Sequence, residues 1–322
     1  MGPRDARIYV AGHTGLIGSA VVRRLERGGS PALLTRSRSE LDLRDAGRVT
    51  EFFQENRPEY VVLAAGRVGG IVDNQTYPAD FLEENLAIQF NVLKAARATD
   101  VKRLICFGSS CMYPRECAQP MAEDLLLSGK PEPTSLPYAI SKMAGTYLCL
   151  AYNKQERENR FIPVIPNSAY GPHDNFDPRS GHVLSALMAR FHEAKLRHAE
   201  SITLWGSGSP RREFIHADDI ADACAHLLAC DSTRFDLPLN IGVGEDVSIR
   251  ELAELLSDVV GYEGRIEWDS TKPDGAPRKL LDSARMRSLG WQPTITLREG
   301  LSLTYRWYLG NLGSERAGVG GA

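Results

Sequence analysis

Tyr138 and Lys142 stand four residues apart in Pro137-Tyr138-Ala139-Ile140-Ser141-Lys142, at the start of an apolar helical pattern. Four residues is about one helical turn, so both side chains fall on one face. An ammonium beside a phenol favours the phenolate and draws its pKa down from about 10 toward working pH. A tyrosine tuned in this way can give a proton to a developing alkoxide or take one from an alcohol. An amphipathic helix that merely carries the two residues has the same pattern, so the rest of the chain decides between the readings. A second reactive group, Gly108-Ser109-Ser110-Cys111, ends the β-rich run Leu104-Ile105-Cys106-Phe107.

These side chains need a scaffold, and the amino-terminal half supplies one. Arg7-Ile8-Tyr9-Val10-Ala11 reads as a strand, and Ser19 to Arg27 reads as a helix with Ala20, Val21 and Leu25 on its buried face. Between them lies Gly12-His13-Thr14-Gly15-Leu16-Ile17-Gly18. Strand, turn and helix in that order bring unpaired N–H groups and the positive helix end to one spot, where a pyrophosphate can sit. Gly12, Gly15 and Gly18, with Thr14, Leu16 and Ile17, form the candidate cofactor turn; a glycine-rich turn that binds nothing is the alternative.

Ala32-Leu33-Leu34-Thr35 is the next strand, at whose end the adenosine ribose of a dinucleotide would be read. An NAD enzyme usually has a carboxylate there, to accept from the 2′-hydroxyl. This chain has Arg36-Ser37-Arg38. Two guanidinium groups suit a 2′-phosphate, which favours NADPH over NADH, against the alternative of a solvated basic turn. Asp42 and Leu43 could hold the adenine edge and face. After Tyr60-Val61-Val62-Leu63, the small residues Ala64 and Ala65, with Gly66, let a cofactor lie against backbone. A long amphipathic helix is expected from Asp80 to Asp100, and the strand at 104–107 follows it. A doubly wound parallel sheet binds ligand outside the carboxyl ends of its strands, which is where Ser109 and Cys111 fall. The prolines around Ile162-Pro163-Val164-Ile165 favour an edge or end position for that strand.

Past about residue 170 the β-α alternation fades. The expected fold is α/β: a Rossmann-type doubly wound parallel sheet over residues 1–169, with returning segments near 213–242. A smaller carboxyl-terminal substrate domain over 170–312 and a disordered Gly/Ala-rich tail over 313–322 complete it. The 322 residues hold 43% hydrophobic and 25% charged residues with a net charge of −3, near the globular average. No basic stripe suggests nucleic acid. No apolar run nears the ~20 residues of a membrane span, and the amino terminus lacks a signal-peptide core, so a soluble, cytoplasmic protein is expected. Six cysteines without a C-x-x-C pair suit reduced thiols rather than disulfides or a metal site.

With the glycine turn, a serine closing a strand, Tyr-x-x-x-Lys and a separate carboxyl-terminal part, the chain resembles the extended short-chain dehydrogenase/reductase family of nucleotide-sugar enzymes. Within that family it is similar to the branch that makes GDP-L-fucose. The likeness runs from Val10 to about Trp291. It rests on Val68-Gly69-Gly70-Ile71, Asn74, Thr76-Tyr77-Pro78-Ala79-Asp80-Phe81, Gly108-Ser109-Ser110-Cys111-Met112-Tyr113-Pro114, Tyr170-Gly171-Pro172-His173-Asp174-Asn175-Phe176 and Trp205-Gly206-Ser207-Gly208.

The resemblance implies NADPH-dependent 3,5-epimerisation and 4-reduction of GDP-4-keto-6-deoxy-D-mannose to GDP-L-fucose. It implies that Ser109 and Tyr138 hydrogen-bond the C4 oxygen while Lys142 lowers the tyrosine pKa and bonds the nicotinamide ribose. Cys111 and His182 match the family's epimerisation pair, and Asn167, Arg190, Trp205, Arg212 and Lys279 match positions that contact the GDP-sugar. Ser110 remains open as an alternative to Ser109, and Arg211 as an alternative to Arg212. His216 and Asp218 match a stretch that is structural in the family. Where relatives carry an arginine in the glycine turn, this chain has Thr14, so the NADP(H) preference rests on Arg36 and Arg38. The resemblance also implies a homodimer built on the helices at 80–100 and 138–155. Two alternatives stand: an epimerase-reductase or plain reductase of another 4-keto nucleotide sugar such as a GDP-heptose, and a non-catalytic dinucleotide-binding regulator.

Overall fold

Along β1 (Arg7–Ala11) successive side chains enter two different cores. Ile8 and Val10 pack with Ala20, Val21, Ile220 and Leu227 on one side, and Tyr9 and Ala11 pack with Phe53, Val92 and Leu93 on the other. A strand buried on both faces belongs inside a parallel sheet with helices on each side. The structure, a computed structural model, describes residues 6–29, 32–178, 180–230, 236–272 and 274–312. The tail expected over 313–322 lies outside the described residues.

The first half follows the expected alternation: α1 (Leu16–Arg27), β2 (Ala32–Leu34), α2 (Ala46–Asn56), β3 (Tyr60–Leu63), α3 (Ile71–Thr76), α4 (Pro78–Ala98), β4 (Arg103–Phe107), α5 (Leu136–Glu156) and β5 (Phe161–Pro166). Next come β6 (Ser168–Tyr170), α6 (Val183–Leu196), β7 (Ser201–Trp205), β8 (Arg211–Arg212), β9 (Phe214–His216), α7 (Ala217–Ala229) and β10 (Leu239–Ile241). The chain ends through β11 (Val247–Ser248), α8 (Ile249–Val260), β12 (Arg265–Asp269), β13 (Arg278–Lys279), α9 (Ala284–Ser288) and α10 (Leu297–Gly310).

Six parallel strands form the central sheet in the order β10-β5-β4-β3-β1-β2, with Val10 opposite Val62 and Val62 opposite Ile105. The chain runs outward from β1 to β2 and then crosses back to β3, so the switch point lies between the carboxyl ends of β1 and β3. Of the segments expected to return near 213–242, Leu239–Ile241 joins beside β5, whereas Phe214–His216 pairs with β6 in a separate ladder. β5 is therefore not an edge strand along its whole length. β10 meets it only at Val164 to Pro166, so the half that carries Pro163 is open on that side.

A third core gathers Leu187, Phe191, Leu204, Leu252, Leu256, Leu301 and Tyr305 from α6, β7, α8 and α10. Capping boxes at Ser248/Glu251 and Thr296/Glu299 start α8 and α10. Among the described residues no helix is long and apolar enough to cross a membrane.

Candidate active site

The glycine turn is set by close backbone contact. Gly12 leaves β1 with φ +80°, and a Cβ there would meet the backbone N of Ala65 at 2.7 Å, so only glycine lets the ends of β1 and β3 lie this close. A Cβ on Gly18 would meet Gly12 O at 2.0 Å, so α1 is pressed onto the same turn. Leu16 and Ile17 pack on the core beneath, while Thr14 and Gly15 are exposed. Gly15 starts α1 with no side-chain cap and no acidic residue in the first turn, leaving free N–H groups and a positive helix end at the switch point.

Beyond β2, Arg36 is half-buried, lies 5.5 Å over the Phe52 ring and donates to Thr35 O at 2.7 Å. No carboxylate pairs with it among the described residues. Arg38 is more exposed and stands 3.6 Å from Glu84, a carboxylate that Arg44 and Arg67 also approach. Asp42 is engaged by Arg44 at 2.7 Å, and Leu43 is buried. Ala64, Ala65 and Gly66 continue from β3; a Cβ on Gly66 would meet Lys142 Nζ at 3.3 Å.

Ser109 closes β4 in an extended conformation, and its Oγ accepts from Cys111 N at 3.2 Å as a tight turn begins at Ser110. Ser109 is also the serine that favours the Tyr138 phenolate. Tyr138 and Lys142 lie one turn apart near the start of α5, with Lys142 Nζ 5.7 Å from the Tyr138 ring and Phe81 edge-on to that ring at 6.1 Å. The expected acidification of the phenol is not what this environment produces. Burial pushes the Tyr138 phenol up, the charge of Cys111 adds to this, and only the Ser109 hydrogen bond opposes it. Burial likewise pushes the Lys142 ammonium down. Desolvation is the largest cause of both shifts. Tyr138 thus holds its proton firmly, as a donor should.

Cys111 and His182 come from different elements, and the charge of Cys111 is among those that favour a protonated His182. His182 precedes α6 at its N-cap position but makes no cap hydrogen bond, and its Nδ1 lies 3.5 Å from Asp174 Oδ1. Asp174 raises the His182 pKa above its ordinary value, although 49% of the His182 side chain is open to solvent. The role of Asp174 went unassigned on sequence, although it sits inside one of the family-specific runs.

Of the remaining candidates, Arg212 is half-buried, donates to Arg211 O at 2.7 Å and has no carboxylate partner among the described residues. Burial pushes its guanidinium down, as it does for Arg190, which donates to Thr203 O at 2.7 Å. Arg211 is instead tied to Asp246 at 2.6 Å and to Glu251 at 3.4 Å. Asn167 is buried, its amide donating to Glu213 Oε2 at 2.6 Å and to Lys279 O at 3.3 Å. Lys279 shares a small cavity with Ser110, Tyr113 and Arg115. Trp205 ends β7 with 73% of its surface exposed and Lys272 5.6 Å from its ring. Glu213, which no sequence signal marked, is wholly buried and joins these segments through hydrogen bonds from Asn167, Gly244 and Leu281.

This arrangement fits a phosphorylated dinucleotide. It offers an uncapped helix end, an arginine without a counter-ion beyond β2, and the buried Lys142, which has no hydrogen-bonded anion among the described residues. Residues 8–242 match the family described as the NAD dependent epimerase/dehydratase family.

The chain belongs to that family.

Among its relatives, GDP-L-fucose synthase 1 of Arabidopsis thaliana is 52% identical over 312 residues, covering 97% of this chain and 96% of that one. A GDP-6-OMe-4-keto-L-xylo-heptose reductase from C. jejuni matches in structure with a TM-score of 0.90 and 35% identity, covering 97% of this chain and 100% of the other. A GDP-L-fucose synthetase from Naegleria fowleri, solved bound to NADP, matches with a TM-score of 0.89 and 29% identity over 98% of this chain and 96% of the other.

Proposed function

We propose that this protein is an NADPH-dependent enzyme that converts GDP-4-keto-6-deoxy-D-mannose to GDP-L-fucose by epimerising C3 and C5 and then reducing C4. The observation that carries the reading is the tight turn that holds Cys111 against the Ser109 hydroxyl, with the charge of Cys111 felt at both Tyr138 and His182. Relatives named for this activity, one of them 52% identical over nearly the whole chain, support it.

A ketone at C4 makes the hydrogens on C3 and C5 acidic, because each carbanion delocalises into an enolate. Ser109 and Tyr138 donate hydrogen bonds to the C4 oxygen and hold its developing negative charge. The Cys111 thiolate takes a proton from the ring carbon, and His182 returns a different proton to the opposite face, which inverts the centre. A second inversion at the other carbon reuses the pair after proton exchange with solvent. The bound dinucleotide supplies the hydride that reduces C4. Tyr138, kept protonated by its burial, delivers its proton to the C4 oxygen.

The uncapped end of α1 and the Gly12–Gly18 turn hold the cofactor diphosphate, Arg36 with Arg38 the 2′-phosphate, and Lys142 the nicotinamide ribose. Arg190, Arg212 and Lys279 supply cations for the substrate diphosphate, with Asn167 and Trp205 as further contacts. The partly exposed apolar residues Phe90 and Tyr147, at 52% and 38%, support a homodimer through α4 and α5. Six free cysteines suit a cytoplasmic setting.

The C. jejuni heptose reductase favours a second reading, reduction alone. Reduction at C4 requires neither Cys111 nor His182. Turnover of GDP-4-keto-6-deoxy-D-mannose with NADPH in deuterated water separates the two. The product should carry solvent deuterium at C3 and C5 by mass spectrometry, and Cys111→Ser should slow that labelling by about a hundredfold or more. Unlabelled product formed with NADPH oxidation would replace the proposal with the reductase reading.

A further inference from the structure

Asp174 is a buried carboxylate, 5% exposed, in the loop between β6 and α6. Among the described residues no lysine or arginine pairs with it. Its Oδ1 accepts from Asn175 N at 2.8 Å, its Oδ2 accepts from the buried Ser185 hydroxyl in the first turn of α6, and His182 Nδ1 lies 3.5 Å from Oδ1. The two hydrogen bonds fix the carboxylate from both sides, and among the described residues the group that can offset its charge is an imidazolium at His182.

The loop itself is held in place. Phe176 packs on Trp307 and Tyr308 of α10, with ring centroids 6.0 and 4.9 Å away, and Asn175 Nδ2 donates to Ser180 Oγ at 3.0 Å. A Cβ on Gly181 would meet Asn175 O at 2.4 Å, so the return to His182 is as tight as backbone allows. The carboxylate is thus anchored independently of the histidine. His182 is free to answer it, since its side chain does not cap α6.

We propose that Asp174 is a positioning residue for the epimerisation: it binds the Nδ1–H of His182, sets the tautomer that turns Nε2 toward Cys111, and stabilises the imidazolium that returns a proton to the sugar carbon. This deepens the epimerase reading above and rests on it. An unassisted histidine is mostly neutral at pH 7 and a poor proton donor there. The titratable groups that face His182 are Asp174 from the loop after β6 and Cys111 from the turn after β4, and both favour the charged ring. Proton return by His182 then fails only as pH rises through its elevated pKa, and loss of the carboxylate should move that alkaline limb downward.

Two measurements test this on the full-length protein. In the wild type at high pH, imidazole 15N shifts, assigned with His182→Gln, should show the Nδ1–H tautomer of His182. The Nε2–H tautomer would overturn the proposal, and this readout needs no substrate. In Asp174→Asn the His182 midpoint should fall by about one pH unit or more, with the alkaline limb of deuterium labelling moving by the same amount and NADPH affinity unchanged. An unmoved midpoint would overturn the proposal. Wild-type product without deuterium would instead sink the epimerase reading and leave the tautomer result standing.

Discussion

Glu213→Ala is the substitution whose effect can best be worked out from the structure. Glu213 is fully buried and accepts from Asn167 Nδ2 at 2.6 Å, Gly244 N at 2.7 Å and Leu281 N at 2.9 Å. These three donors come from the end of β5, the loop after β10 and the segment after β13, so one carboxylate joins the central sheet to the carboxyl-terminal strands. Truncation leaves all three without this acceptor, at about 1–3 kcal/mol for each that water does not reach, and Gly244 lies at an exposed position. Water admitted to the vacated space recovers part of this, so we expect a loss of about 3–5 kcal/mol. Urea unfolding followed by far-UV circular dichroism should show the midpoint falling by about 1 M or more. Burial also pushes the Glu213 carboxyl up. An acid whose folded pKa is raised holds its proton more tightly when folded, so its contribution declines as pH climbs from about 4.3 through the folded pKa. Glu213→Gln should lack that decline, while paying for one acceptor turned donor. A Glu213→Ala midpoint within about 0.2 M of wild type would refute the reasoning, because the three donors would then have found partners unaided.

Gly18→Ala should cost about 1–3 kcal/mol and weaken NADPH binding by about tenfold or more by calorimetric titration, since the new Cβ would meet Gly12 O at 2.0 Å; unchanged affinity would show that the turn can yield. Arg212→Met should weaken GDP binding about tenfold or more. Arg211→Met, which breaks pairs with Asp246 and Glu251, should change it by less than about threefold. The reverse order would reassign the phosphate contact.

The glycine turn, the Tyr138–Lys142 pair and the strand that ends at Ser109 were legible because each depends on neighbours close in the chain. Backbone sterics demand glycine at Gly12 and Gly18, helical spacing aligns residues four apart, and alternating burial marks the strands. Pairing between distant segments leaves no such local mark. Hence Phe214–His216 went to β6 while Leu239–Ile241 reached the central sheet, and Arg211 rather than its neighbour was claimed by Asp246. The proton on Tyr138 follows the same rule. Spacing alone suggested that Lys142 would acidify the phenol, but desolvation raises the phenol and lowers the ammonium. By itself the sequence determined the chemistry available and the local frames that carry it. Only the tertiary structure decided which charges meet, as Asp174 meets His182, because solvation and pairing energies depend on distances that chain order does not encode.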